Sequence, residues 1–110
     1  MKETNLGAFE ELVLLAVGAL TDNAYGVTIR EALTAETGRS PSIGSLHSAL
    51  YRLEDKGYLQ STEGGATTER GGRRKKYFQL TASGIKALKA AHELRLAFSL
   101  KIPELNLKNS

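Results

Sequence analysis

The stretch SIGSLHSALYRLEDKG (residues 42–57) leads into the glycine-bracketed loop GGATTERGG (64–72) and the run RRKKYFQL (73–80). The first segment has apolar residues at helical spacing, and these are predicted to face the core: Ile43, Leu46, Leu50 and Leu53. The other two segments predict a hairpin with a cationic tip. A helix followed by such a ribbon suits duplex DNA, since the helix can enter the major groove while the ribbon reaches the neighbouring backbone. DNA binding is therefore the first hypothesis.

Periodicity and capping residues extend this prediction along the chain. The expected elements are helices at about 6–20, 24–37, 43–56 and 82–100, and strands at 58–63 and 73–80. Gly38 is expected to end the second helix, while Ser42 and Thr81 are expected to cap the third and fourth. The predicted fold is mainly α with a small β-wing, a winged helix-turn-helix with N- and C-terminal dimerisation helices. Residues 1–80 would form the DNA-binding domain, and 81–110 the C-terminal dimerisation helix and tail of one compact unit.

The positive charge is concentrated in the middle of the chain. The net charge is only +3, but residues 39–80 carry eight Lys/Arg against four Asp/Glu, whereas the remainder carries seven against eight. Such a distribution is expected of a protein that contacts phosphates over one segment.

Composition excludes several classes of site. The chain has no cysteine, which rules out disulfides, thiolate metal sites and cysteine nucleophiles. The two histidines, His47 and His92, are not arranged as in a zinc motif. No nucleophile–base–acid pattern is present, so neither an enzyme nor a cofactor site is expected. Two acidic residues interrupt the apolar N-terminal stretch, which fits neither a signal peptide nor a membrane helix, and a cytoplasmic protein is expected.

Some of the candidate DNA contacts allow another interpretation. The predicted set is Tyr25, Ser42, Ser45, His47, Ser48, Arg52, Arg70, Arg73, Arg74 and Lys75. The serines could instead be solvated helix residues. Arg52 could instead pair with Glu54, Asp55 or Glu36. Because side chains alternate along a strand, a rigid ribbon can turn only one pair of its strand cations toward DNA, together with Arg70 at the tip.

The terminal helices carry more apolar side chains than a small winged helix can bury. One interpretation is that these side chains enlarge the core of a monomer. The other is a symmetric dimer that would place two recognition helices about 34 Å apart on a palindromic site. The predicted interface residues are Leu6, Phe9, Leu12, Leu88, Ala91, Leu94 and Phe98.

Over about residues 6–98 the chain resembles the PadR family of transcriptional regulators, of the compact kind with a single C-terminal helix. The matching residues are Tyr25-Gly26, Glu36-Thr37-Gly38, Gly44-Ser45-Leu46, Ala49-Leu50, Arg52-Leu53-Glu54, Gly57, Gly71 through Phe78, Leu80-Thr81 and Gly84. Where the family usually has tyrosine and then proline in the third helix, this chain has His47 and Ser48.

The resemblance implies a homodimeric regulator of transcription, most often a repressor, that binds a palindromic operator in double-stranded DNA. It also implies a small hydrophobic or aromatic effector at or near the dimer interface, with regulation by expression level alone, without a ligand, as the alternative. A winged helix that binds other proteins without touching DNA is the alternative, although such a module has no need of a cationic wing.

Overall fold

The protein was analysed as a computed structural model that describes residues 6–64 and 75–106. Its main elements are α1 (Ala8–Leu20), α2 (Gly26–Thr37), α3 (Ile43–Asp55), β1 (Leu59–Glu63), β2 (Lys76–Leu80) and α4 (Ala82–Ser99). Short 3₁₀ turns follow α1 and α4, at Thr21–Asn23 and Pro103–Leu105. The mainly helical architecture with a two-stranded wing confirms the predicted winged helix-turn-helix.

The core lies where α1, α2 and α3 meet under the wing. Its largest fully buried side chains are Leu14, Ile29, Leu46, Leu50, Leu53, Val13 and Val17. Leu59 of β1 and Phe78 of β2 close it from the wing. Burying each of these large side chains contributes about 1.5–3 kcal/mol, which makes the three-helix contact the main source of stability.

Local capping chemistry fixes the helix ends as the sequence predicts. The Ser42 hydroxyl accepts the N–H of Ser45 at 3.0 Å, and the Thr81 hydroxyl accepts the N–H of Gly84 at 3.0 Å. Gly38 adopts the left-handed φ of 79° that ends α2, and its N–H donates to the Thr34 carbonyl. These caps set where α3 begins, and thus where its first side chains project.

Two predicted helix starts were wrong, since α1 begins at Ala8 rather than at 6. The second helix begins at Gly26 rather than at 24, because Ala24 is extended and its carbonyl accepts the N–H of Phe78 at 2.8 Å. Residues 73 and 74 of the predicted second strand lie outside the described residues, and the strand begins at Lys76 rather than at Lys75. It pairs antiparallel with β1, from Leu59 opposite Leu80 to Glu63 opposite Lys76. The bond between Ala24 and β2 fixes the wing against the start of α2.

The two halves of α4 have different surroundings. The first half buries Gly84, Ala87 and Ala91, and a Cβ on Gly84 would overlap the carbonyl oxygen of Tyr58. The second half exposes large apolar side chains, among them Leu94 and Phe98. Only the first half therefore packs into the core of the chain.

Candidate nucleic-acid interface

Helix α3 buries one side completely. Leu46, Ala49, Leu50 and Leu53 are at most 1% exposed. The prediction that Ile43 also faces the core was wrong, because its side chain is 56% exposed. Ile43 is the first residue of α3 and lies at the mouth of an open groove between α2 and α3, where neither helix covers it.

The outer side of α3 is polar near its N-terminus. Ser45, His47 and Ser48 are all exposed. The Ser42 hydroxyl donates to the Ser45 hydroxyl at 2.9 Å, which leaves the Ser45 hydrogen available to an outside acceptor. Among residues 6–64 and 75–106, no group hydrogen-bonds to the Ser48 hydroxyl, which is exposed. The His47 ring lies beside that of Tyr51, with centroids 6.1 Å apart.

Arg52 has a partner that neither of its sequence interpretations included. Its Nε donates to the Glu10 carboxylate of α1 at 2.7 Å, rather than to Glu54, Asp55 or Glu36. Lys56 reaches the same carboxylate at 2.7 Å. The Arg52 side chain remains 54% exposed. The pair ties the C-terminal end of α3 to the beginning of α1.

The Glu10 carboxylate is held in its charged form. Burial alone would raise its pKa, but hydrogen bonds from Arg52, Lys56 and the Gly7 N–H outweigh that effect and lower the pKa to about 2. The sequence contained a signal for this cluster, because an acidic residue in an apolar helix that is buried on several sides requires a cationic partner.

The base of the wing is attached to both α2 and α3. Lys75 places its Nζ 4.5 Å from the centre of the Tyr25 ring, which also packs edge-on against Tyr77 at 5.3 Å. Tyr25 is the N-cap residue of α2, and this cluster half-buries it beside the wing.

The next residue of the wing, Lys76, contacts α3. Lys76 lies 5.3 Å from the centre of the Tyr51 ring and 3.6 Å from the Glu54 carboxylate, which also accepts the Ser61 hydroxyl at 2.6 Å. Lys75 and Lys76 thus face opposite sides of the wing. The predicted contacts Arg70, Arg73 and Arg74 lie outside the described residues.

The predicted dimer-interface residues divide into two groups. Leu6, Phe9 and Leu88 pack partly against the core, and Ala91 is buried. Leu12, Leu94 and Phe98 are exposed, the last two by 60% and 64%. Leu6, Ala91, Leu94 and Phe98 line a groove of about 480 Å³ between α1 and α4, in which Arg95 forms a bidentate ion pair with Glu11.

Residues 6–64 and 75–106 contain neither a metal-ion cluster nor a membrane-spanning helix. Within these ranges no group of three or more His, Cys, Asp or Glu side chains could hold a metal ion. None of the helices found there combines the length and the apolar character needed to cross a bilayer.

Solved structures share this architecture. A transcriptional regulator from Clostridium thermocellum is 26% identical, with a TM-score of 0.68 and coverage of 86% of this chain and 89% of its own. A PadR-like transcription factor from Bacteroides fragilis is 21% identical, with a TM-score of 0.72 and 88% of each chain covered. A PadR-like transcriptional regulator from Bacillus cereus is 20% identical, with a TM-score of 0.70, covering 92% of this chain and 93% of its own. No curated protein matches the sequence significantly.

The family assignment comes from the sequence profile of the transcriptional regulator PadR-like family, which matches residues 14–90. That range contains most of α1, all of α2 and α3, both strands and the first half of α4. PadR regulators bind DNA and are not enzymes, which confirms those two expectations and decides against a winged helix that only binds other proteins. The chain belongs to the PadR-like family of DNA-binding transcriptional regulators.

Proposed function

We propose that the protein is a homodimeric repressor that binds a palindromic operator in the cytoplasm and occludes a promoter. Each protomer would insert the N-terminal end of α3 into the major groove and lay its wing along the adjacent backbone. The observation that carries this proposal is the outer surface of α3, where Ser45, His47 and Ser48 are exposed around the helix start. N-terminal residues of a recognition helix are those that reach base edges.

These side chains match the chemistry of base edges and phosphates. The Ser45 and Ser48 hydroxyls can donate or accept, and the His47 ring offers a donor and an acceptor. The backbone N–H groups of the first turn of α3 add a positive helix terminus, which favours a phosphate. DNA binding at this end breaks none of the tertiary ion pairs that hold α3.

The wing would supply cations with little sequence preference. Lys75 is exposed at its base, on the side of Tyr25 and the start of α2. Of the predicted contacts Arg70, Arg73 and Arg74, strand alternation would put Arg73 on the side of Lys75, and Arg70 would lie at the tip. Contacts between such side chains and phosphates add affinity by releasing counterions.

The dimer would form through the second half of α4 and the facing part of α1. The exposed apolar side chains Leu94 and Phe98 lie one turn apart on the same side of α4, where both line the groove toward α1. An apolar patch of this kind on a soluble protein marks an interaction site, and a two-fold axis would bury each side chain twice. Because Leu94 and Phe98 are mostly exposed in the protomer, truncating them leaves its core intact.

An effector would bind at or near this interface. The groove between α1 and α4 is lined by Phe98 and Leu94 and contains the Glu11–Arg95 ion pair. A small hydrophobic or aromatic molecule that separates α1 from α4 there would change the spacing of the two α3 helices. Such a change in spacing would weaken operator binding.

Selection of bound sequences from random duplex DNA tests the proposal as a whole. A palindrome with half-site centres about 10 base pairs apart is expected. Occlusion is tested by transcription in vitro from a promoter that carries the selected site, where added protein should lower transcript yield. A single, non-repeated half-site, or no enrichment at all, would contradict the dimeric arrangement or the DNA site respectively.

The dimer is tested by the double variant Leu94→Ala, Phe98→Ala. It is expected to sediment as a folded monomer at micromolar concentration. It should also lose about 10²–10⁴-fold in affinity for the palindrome, since the second half-site is no longer held nearby. Ile85→Ala, an exposed apolar truncation in the first half of the same helix, is the matched control and should remain dimeric. A double variant that still sediments as a dimer would place the two-fold contact elsewhere.

A further inference from the structure

Two exposed apolar side chains, which we call the apolar step, line the groove at the start of the recognition helix α3. Ile43, the first residue of α3, and Val27, the second residue of α2, are 56% and 57% exposed. Both line the open groove of about 500 Å³ between α2 and α3, together with His47. Two β-branched apolar side chains are therefore exposed on the surface that faces DNA in the proposed function.

This step is held in place by the connection between the two helices. Arg30 of α2 donates its Nε to the carbonyl of Pro41 at 2.8 Å, and the Thr34 and Ser40 hydroxyls are 2.9 Å apart. The Ser42 cap then begins α3 directly in front of Ile43. The position of Ile43 is thus preorganised, and binding would cost little ordering entropy.

The major groove offers one apolar group to such a side chain, the 5-methyl of thymine. We propose that Ile43, with Val27 beside it, reads a thymine methyl in each half-site of the operator. This inference rests on the proposed function, because it requires that the N-terminal end of α3 enters the major groove. Ile43 has no hydrogen-bonding side-chain atom, so its specificity would come from burying that methyl group.

The expected selectivity follows from this chemistry. Burial of one methyl group contributes about fourfold to affinity, hence about fifteenfold when both half-sites of a palindrome contribute. Replacing thymine by deoxyuridine removes only the methyl and keeps the Watson–Crick edge. It therefore isolates the contact from hydrogen-bond readout and from base pairing.

The experiment uses the full chain and the duplex selected from random DNA. Each thymine of the half-site is replaced in turn by deoxyuridine, symmetrically in both halves, and the dissociation constant is measured by fluorescence anisotropy. One position is expected to weaken binding by about fifteenfold with the unmodified protein. With Ile43→Ala, the thymine and deoxyuridine duplexes should bind equally at that position. Ile85→Ala, an equally conservative truncation of an exposed isoleucine on α4, should keep the full effect.

The possible failures are distinguishable. If the protein binds its selected duplex tightly but no deoxyuridine position matters, the methyl contact is wrong and the proposed function stands. If Ile43→Ala keeps the dependence on the methyl, another side chain reads it and the assignment to Ile43 is wrong. If Ile43→Ala binds both duplexes as the unmodified protein binds thymine, the apolar step has a partner other than DNA. If no duplex is selected, the proposed function itself fails.

Discussion

The two ends of α3 are held in opposite ways. At the C-terminal end, Arg52 and Lys56 bind Glu10 of α1, and Glu54 binds Ser61 and Lys76 of the wing. At the N-terminal end, the Ser42 hydroxyl bonds only to the hydroxyl and the N–H of Ser45, and the Ser48 hydroxyl has no hydrogen-bond partner among the described residues. The C-terminal end of α3 is thus anchored by charged tertiary contacts. At the N-terminal end, which we call the open end, the Ser42, Ser45 and Ser48 hydroxyls make no hydrogen bond to another element among the described residues.

This difference separates stability from recognition along a single helix. A side chain that already has a buried partner must lose that partner before it binds DNA, which costs the desolvation of the group left behind. The side chains at the open end lose only hydrogen bonds to water when they bind DNA. The anchored end fixes the direction of α3, and the open end can meet the bases without disturbing the core.

The largest effect is expected from a charge change at the open end. Ser45→Glu should abolish operator binding, because a carboxylate against phosphates and base acceptors costs several kcal/mol by repulsion and desolvation. The fold should survive. A glutamate three residues after the Ser42 N-cap completes a capping box, which stabilises a helix start. Anisotropy with the selected duplex and thermal unfolding together measure both quantities.

Ser83→Glu is the control for this charge change. It introduces the same charge at an exposed position in the first turn of α4. It should bind DNA nearly as well as the unmodified protein. Unfolding of Ser45→Glu, or equal losses of affinity in both variants, would show that the open end of α3 is not the reading surface.

The next largest effect is expected at the anchored end. Glu10→Gln should lower the free energy of unfolding by about 3 kcal/mol at pH 7, the value that corresponds to a shift in pKa from the ordinary 4.5 to about 2. Operator affinity at low temperature should change little, because the open end is untouched. Chemical denaturation measures the stability, and anisotropy measures the affinity.

Glu11→Gln is the matched control, because Glu11 forms the other ion pair of α1 and its partner Arg95 is largely in water. Its loss of stability should be much smaller. If Glu10→Gln keeps its stability but loses operator binding, Arg52 contacts DNA and its bond to Glu10 serves recognition. That result would remove the division between the two ends.

Acid should weaken the anchored end selectively. Because the pKa of Glu10 is lower in the folded protein than in the unfolded chain, its stabilisation is complete above about pH 4.5. It is lost as the pH falls toward 2. Between pH 7 and pH 3 this one group should cost the unmodified protein about 2 kcal/mol. The difference in stability between the unmodified protein and Glu10→Gln should therefore shrink over that range. A difference that stays constant would mean that Glu10 is not held as a low-pKa carboxylate.

The sequence predicts the local features of α3 better than its tertiary ones. The Ser42 cap, the buried leucine face and the exposure of Ser45 and Ser48 depend on neighbours within one or two turns, so helical periodicity suffices. Ile43 has the same spacing as the leucines but lies beyond the cover of α2. Periodicity gives the direction of a side chain, and it does not tell whether another element reaches that far.

The contacts that anchor α3 depend on residues distant in sequence. Glu10 lies 42 residues before Arg52, and nearer carboxylates were equally good candidates. Likewise, Ala24 is extended rather than helical at the point where its carbonyl accepts the N–H of Phe78 of β2. These contacts depend on how whole helices and strands pack together. Local patterns in a single sequence do not reveal that packing.

The smallest predicted effect concerns two neighbouring lysines of the wing. Lys75 points toward Tyr25 at the start of α2, and Lys76 points toward Tyr51 and Glu54 at the anchored side of α3. Lys75→Ala should therefore remove one phosphate contact per protomer and reduce the slope of log affinity against log salt by about 0.9 for each wing. Lys76→Ala removes the same charge from the adjacent residue. It should leave the slope unchanged, because the Lys76 ammonium is already paired with the Glu54 carboxylate.

Titrations of the selected duplex at several salt concentrations compare the two variants directly. If both variants reduce the slope equally, net charge alone governs binding. If only Lys76→Ala reduces the slope, the wing approaches DNA with its other face.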